Sequence, residues 1–390
     1  IMDYLEIIFS LLILFIPLYA VVSKNLIPAY SVLLIGANPY VSAFSLVSAL
    51  LIRANHLLKP KVNKSILFLF LLWFGYGLAL SIKGFTITFF SELFQLFLAF
   101  SLLIYIVNYA SNFRSLKQIL TGLIFSGVLL ASFEIIISIF NLEIRTLSYI
   151  GNNPANYSAF FLLITTIAIP LYLYKSIFLR ILIGSLGFWA IYMNESRSVM
   201  VLSFVVIIMW LLKDRSFFTK ILLGIVGGYI AYILFSAVVM SQIYDTSSIF
   251  SLLNYENNFS NLERLNLLFY SYDLFLAKPE GHGIGSSYSL FINNSYTIVD
   301  TYPHPHNTLA FFAVELGLIG IIIYFYLFFT LFLTAQKISN KKLKELSMCL
   351  ILALAFFSIA DVIFYNGILM LSSFIFIGII FASARIKSTC

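Results

Sequence analysis

Apolar residues fill this chain in blocks of about twenty, separated by short polar breaks. A bilayer core takes roughly 20 apolar residues per helical span, so blocks of this size predict membrane-crossing helices. The narrow apolar stripe of a surface helix in a soluble protein would look different. Reading from break to break gives about twelve spans, near 4–23, 28–52, 65–82, 86–108, 118–140, 156–174, 178–193, 198–212, 221–240, 308–334, 346–365 and 367–384. The second holds Gly36 and Asn38-Pro39 near its middle, which fits a broken helix or two short ones. Ile7 to Val22 is read as a retained first span, because Asp3 and Glu6 stand where a signal peptide would carry a basic flank, and no small-residue cleavage site clearly follows.

One segment departs from this pattern. Ser241 to Asn307 is the only long polar stretch, and within it Leu262, Leu265, Leu268, Phe269, Tyr272, Phe275 and Leu276 recur at helical spacing. That periodicity predicts an amphipathic helix lying at the membrane surface. After it come Lys278-Pro279-Glu280 and then Gly281-His282-Gly283-Ile284-Gly285, whose glycines allow tight turns and close approach of another group. No strand precedes this element and no helix opens on it in the manner of a dinucleotide site. The expected organisation is an all-α polytopic membrane protein: residues 1–240 with nine spans, residues 241–307 as a long loop, and residues 308–390 with three spans and a short tail.

Composition supports a lipid environment: 61% of the residues are hydrophobic and 10% charged, against about 25% charged in soluble domains. The net charge of +7 does not point to nucleic acid, since the basic residues sit in clusters between apolar runs and not along one face. Placing the N-terminus in the cytoplasm puts 17 of the 23 Lys and Arg residues on the inner side and leaves six outside. That asymmetry satisfies the positive-inside rule, sets both termini in the cytoplasm, and places 241–307 outside. The two cysteines, Cys349 and Cys390, have neither metal-ligand spacing nor a plausible disulfide partner.

Candidate chemistry collects where the outer loop enters the span at 308–334. Tyr302-Pro303-His304-Pro305-His306-Asn307-Thr308 sets two imidazoles at the membrane surface. Asn307 can cap the helix that follows, and the two prolines restrict the backbone that carries His306. An imidazole held in this way can act as a general base. A metal-binding pair and a capping surface histidine are the alternatives. Arg197, in Asn194-Glu195-Ser196-Arg197-Ser198, and Arg264, on the polar side of the amphipathic helix, are candidates for holding phosphate, or are ordinary interfacial anchors. Glu315 and Asp361 are the notable charges within spans, each suited to a shared polar cavity or to an interhelical hydrogen bond.

His306-Asn307, nine residues, then Gly317-Leu318-Ile319-Gly320 resembles the His-[Asn/Ser/Gln]-x9-Gly-x-x-[Gly/Thr/Tyr] motif of O-antigen ligases at every fixed position. Gly151-Asn152-Asn153-Pro154-Ala155-Asn156, Ser196-Arg197-Ser198, and Arg264 followed by Gly281 to Gly285 also look like pieces of the O-antigen ligase and polymerase superfamily, in the family's order, over roughly residues 150 to 370. The N-terminal third is similar only in hydropathy.

The resemblance implies a GT-C-like membrane glycosyltransferase of the bacterial inner membrane, using an undecaprenyl-diphosphate-linked glycan as donor at the periplasmic face. His306 would deprotonate the acceptor hydroxyl, and Arg197 and Arg264 would hold the donor diphosphate. His304, Asn307 and Glu315 would assist in substrate binding, with His304 ranked second to His306 because the motif fixes only the latter. Two guanidinium groups could stabilise the departing diphosphate without a metal or other cofactor, and direct attack by the hydroxyl would invert the anomeric centre. The expected function is O-antigen polymerase, favoured over ligase because the Phe- and Tyr-rich composition resembles that of genes in O-antigen clusters. Transfer of the glycan to lipid A core, as a ligase, is the alternative. A flippase or other transporter for lipid-linked sugars is the reading from another class, disfavoured by the long loop and the lack of a convincing internal repeat. The bilayer and the lipid-linked glycan are the expected partners, nucleic acid is not, and there is room for a chain-length regulator.

Overall fold

A computed structural model of the protein describes residues 64–81, 87–139, 155–193, 196–212, 259–292, 304–364 and 367–386, with isolated positions between 219 and 227. The spans expected at 4–23, 28–52 and 221–240 and the Gly151–Pro154 stretch lie outside the described residues. Every regular element among the described residues is helical: α1 Lys64–Ser81, α2 Ile87–Tyr109, α3 Phe113–Ile139, α4 Ala155–Leu162, a π-helical turn Leu163–Ala168, α5 Ile169–Leu173, α6 Ile177–Met193, α7 Arg197–Leu211, α8 Phe259–Ala277, α9 Ser286–Ile292, α10 Thr308–Gln336, α11 Lys341–Ala360 and α12 Gly367–Arg385. Four of them, α2, α3, α10 and α11, are long and apolar enough to cross a membrane, and α1, α6, α7, α12 and the α4–α5 unit are shorter apolar helices.

Exposure shows what surrounds the bundle. On α10, Leu318, Ile322, Phe325, Phe329 and Leu333 are all exposed. Their spacing of three to four residues draws one apolar stripe down the helix. Phe90, Phe94 and Phe97 do the same on α2, and Phe178, Ile181, Leu182 and Trp189 on α6. Soluble proteins do not expose continuous apolar surface on this scale, so the stripes face lipid and the chain is a membrane protein.

Inside, helices pack through small residues. A Cβ on Gly127 of α3 or on Gly187 of α6 would collide with Thr165 and Thr166 of the π turn, respectively. Thr165 and Thr166 return their hydroxyls to the carbonyls of Phe161 and Leu162, at 2.8 and 2.7 Å. The two glycines thus let α3 and α6 approach the wider π turn closely. Tyr324 of α10 and Ser358 of α11 share a buried hydrogen bond of 2.7 Å.

α12 packs along α2, where Gly378 meets the side chain of Ile106 and Arg385 donates to the Val107 carbonyl at 2.8 Å. Arg180 donates to the Tyr174 carbonyl and lies 5.1 Å over the Trp210 ring. These contacts gather the α2–α3, α5–α6 and α10–α11 turns and the ends of α7 and α12 at one end of the bundle. The last residues of α1 and α6, the loop-borne α8 and α9, and the start of α10 lie at the other, here termed the loop end.

Candidate active site

At the loop end the residues from Pro279 to Gly285 dock onto α10 chiefly through backbone. The His282 and Gly283 amides donate to the Val314 and Glu315 carbonyls at 2.9 and 2.8 Å, and the Leu318 amide donates back to the Pro279 carbonyl at 2.9 Å. These bonds are possible because α10 breaks its own ladder at Gly317, where φ is 59° and ψ −144°, a region open essentially only to glycine. Gly281 sits against this break with φ 98°, and a Cβ there would fall 2.6 Å from the Glu315 oxygen and the Gly317 nitrogen. The Gly281–Gly285 run and the Gly317-x-x-Gly320 spacing are therefore the two halves of one joint. Gly320 completes it, since its Cβ would run into the Phe312 carbonyl.

Glu315 belongs to the same joint. Its side chain is buried, and one carboxylate oxygen accepts from the Gly285 and Ser287 amides at 3.1 and 3.3 Å. The carboxylate thus caps the start of α9 and reaches the loop, although the sequence also allowed a cavity shared with Asp361.

Asp361 goes elsewhere. It follows the last residue of α11, buried to 1% exposure, with one carboxylate oxygen 3.5 Å from His306 Nδ1 and 2.8 Å from the Val362 amide that donates to it. Thr308, the first residue of α10, fixes the two elements together: its hydroxyl donates to the Asp361 carbonyl at 2.8 Å and accepts from the Ile363 amide at 3.0 Å. Asn307 caps α10 as expected, its side-chain oxygen accepting from Ala310 N at 2.9 Å, while its amide donates to the Ile359 carbonyl at 3.1 Å. His306 itself has φ 49°, a left-handed conformation uncommon for a histidine and of the kind that clusters at functional sites.

His304 is buried, its ring centroid 4.5 Å from that of His306, and its Nδ1 accepts from the His306 amide at 3.3 Å. Burial, reinforced by the charges of His306 and Arg264 and opposed by Asp361, pulls the His304 imidazole down to about 3. It stays neutral at physiological pH, so of the two imidazoles His306 is the one placed to accept a proton beside a carboxylate. Burial alone would push the Asp361 carboxyl up, but hydrogen bonding and charge from His306, the charge of His304 and the Val362 amide outweigh it and hold the group at about 2.

His304 carries a stability prediction. From its ordinary 6.5 down to about 3, the unfolded chain binds a proton that the native protein refuses, so stability rises with pH across that window and is lost as pH falls through it. Thermal unfolding in detergent should show this slope, and His304→Gln should flatten it. An unaltered slope in the variant would remove His304 as its source.

Arg264 is half-buried on the face of α8 that also carries Leu267 and Ser271, both buried. Leu267 packs with Phe291 of α9 and Val314 of α10. The expected apolar stripe, Leu265, Leu268, Phe269, Tyr272 and Leu276, is the exposed one. It faces away from the bundle, leaving Arg264 directed inward, close enough for its charge to act on His304. Arg197 opens α7, but its side chain lies outside the described residues. The ligating atoms of His304, His306 and Asp361 lie within 4.8 Å of one another, a donor set with the composition of a divalent-cation site.

Asp361, for which the sequence offered only a shared polar cavity or an interhelical hydrogen bond, and Thr308, for which it offered nothing, are the contributors left without an assigned role. The signal at Asp361 was a lone carboxylate at the end of an apolar run, and nothing local says what it faces. A search of curated proteins finds none that matches the chain. Residues 182–325, a stretch that includes Arg197, Arg264, the glycine joint and the His306-Asn307 entry to α10, match the family model described as O-antigen ligase, so this part of the chain is similar to that family.

Proposed function

We propose that the protein is a glycosyltransferase that joins lipid-linked oligosaccharide repeat units at the periplasmic face of the bacterial inner membrane, as an O-antigen polymerase. The observation that carries this reading is the His306–Asp361 pair, at 3.5 Å, set beside Arg264 at the loop end of a membrane bundle. His306 takes the proton of the acceptor hydroxyl as it attacks the anomeric carbon, and Asp361 orients the ring and stabilises the imidazolium that forms. Arg264 holds the undecaprenyl diphosphate and stabilises the charge that grows on it as the glycosidic bond breaks, a role to which Arg197 is assigned with it. The orientation rests on charge: Lys64, Arg114, Lys117, Lys175, Arg180, Lys337, Lys341, Lys342, Lys344 and Arg385 all fall at the end opposite the loop, the cytoplasmic end under the positive-inside rule. The exposed apolar stripe of α8 then rests in the outer headgroup layer.

Ligation to lipid A core uses the same chemistry, and deletion of the gene separates the two. Core bearing a single repeat is the product expected when a polymerase is lost; bare core, with long glycan retained on undecaprenyl diphosphate, would make the protein the ligase. The His304, His306 and Asp361 cluster favours a second reading, in which a bound cation activates the hydroxyl. In the base reading, purified protein keeps its transfer rate after chelation; loss on chelation with recovery on adding back a divalent cation would replace it.

Asp361→Asn tests the pair. The orienting carboxylate of a Ser-His-Asp triad is worth up to about 10⁴ in rate, so a fall in kcat between about 10-fold and that limit is expected, with KM held. A wild-type kcat would detach Asp361 from the reaction.

A further inference from the structure

We infer that His304, His306 and Asp361 form an inhibitory site for a divalent cation of the zinc class, a proposal that rests on the base role given to His306 above. Bound there, the ion takes the base out of the reaction. Three observations point to a cation. The ligating atoms of the three side chains lie within 4.8 Å of one another. His306 Nδ1 and Asp361 Oδ1 stand 3.5 Å apart, at the long limit for a hydrogen bond but near the ~3.3 Å that separates two ligands of one tetrahedral zinc ion. The other Asp361 oxygen, Oδ2, is buried with no hydrogen-bond partner among the described residues, and a carboxylate oxygen in that position is costly until an ion or a donor meets it.

The donor set selects the ion. Two imidazole nitrogens and one carboxylate oxygen suit zinc, cobalt or nickel, whereas magnesium and calcium take oxygen ligands. Three protein ligands leave one tetrahedral position for water. His304 joins by giving up the long bond, 3.3 Å, that its Nδ1 accepts from the His306 amide. Arg264, whose charge acts on His304, opposes a second positive group, so the ion binds reversibly and is not a resident cofactor. The effect on transfer follows from the lone pairs. A neutral imidazole has one nitrogen lone pair and one N–H. With the ion on Nδ1, the His306 lone pair is occupied and Nε2 carries the hydrogen, so neither nitrogen accepts the proton of the attacking hydroxyl. Asp361, the carboxylate that steadies the imidazolium, is engaged by the same ion.

The test is titration of the full chain, in detergent and freed of metal by chelation, with Co²⁺, whose visible spectrum reports four-coordinate binding, alongside a transfer assay on the same samples. One Co²⁺ per chain with a tetrahedral spectrum, displaced by Zn²⁺ and not by Mg²⁺, is expected. Transfer should fall as the site fills with Zn²⁺ and return on chelation. Asp361→Asn should weaken Co²⁺ binding at least about tenfold, the lower end of what even an outer partner of a metal ligand is worth. Arg264→Gln removes the opposing charge and no ligand, so it should bind Co²⁺ more tightly than the wild type, and the contrast separates a lost ligand from a lost fold. No stoichiometric Co²⁺, an affinity unchanged in Asp361→Asn, or full transfer by the Zn²⁺-loaded protein would overturn the assignment. Transfer that rises with Zn²⁺ would overturn it too, in favour of a cation that activates the hydroxyl. A wild type that binds Co²⁺ in this way yet transfers nothing when metal-free leaves the cation site standing and removes the polymerase.

Discussion

Replacing His306 by asparagine is expected to lower glycan transfer by about 10² to 10⁴, the range typical of a lost general base. Asparagine is the informative choice, because His306 holds φ 49° and asparagine tolerates left-handed backbone better than most residues. The turn into α10 and its Asn307 cap should survive, leaving KM and thermal stability near wild type while kcat falls. Alanine at the same position loses the base and strains the turn, so it should unfold at a lower temperature than the asparagine variant. The measurement is steady-state transfer with a lipid-linked donor, read beside unfolding temperature. Undiminished kcat in His306→Asn would sink the base assignment.

The second large effect is structural. Gly317→Ala should destabilise the protein by more than about 3 kcal/mol: backbone strain in a glycine-only region costs of order 1 to 3 kcal/mol, and the three backbone bonds of the joint contribute about 1 kcal/mol each. The added methyl would meet the Pro279 carbonyl and the Glu280 backbone. Gly281→Ala pushes on the same contact from the loop side. Once the joint has parted, a second clash adds little, so the double variant should be less destabilised than the sum of the singles. Thermal unfolding of the four proteins closes this cycle. Additive losses, or a Gly317→Ala protein that melts like wild type, would show that the loop and α10 are not joined as described.

Much of this was legible in the order of residues, for reasons that differ by element. The long helices follow from apolar runs, because a lipid solvent leaves the backbone no other partner than itself; the span expected at 308–334 is Thr308–Gln336. The Asn307 cap was legible because capping is local chemistry. The glycines of 281–285 announced a close approach, and Gly317 is what they approach.

Which face of α8 turns inward was not legible. Leu265 and Leu267 are equally apolar, and only packing against Phe291 and Val314 buries the second. The partner of His306 was hidden for a different reason. Thr308 and Asp361, which fasten the two halves of the site, stand 53 residues apart, and no local pattern reports a pairing across two helices. Glu315 and Asp361 looked alike as charges in apolar runs, and their separate destinations, loop amides for one and an imidazole for the other, are set by tertiary structure alone.

The packing of α12 along α2 bears on how the protein is made. α2 is made before α12, yet its surface around Ile106 and Val107 is completed only by Gly378 and by Arg385, 278 residues beyond Val107, and contacts between distant segments form late. Asp361 and Thr308 join just ahead of that helix. Until α12 has entered the bilayer, the face of α2 around Ile106 and Val107 therefore lacks its clasp.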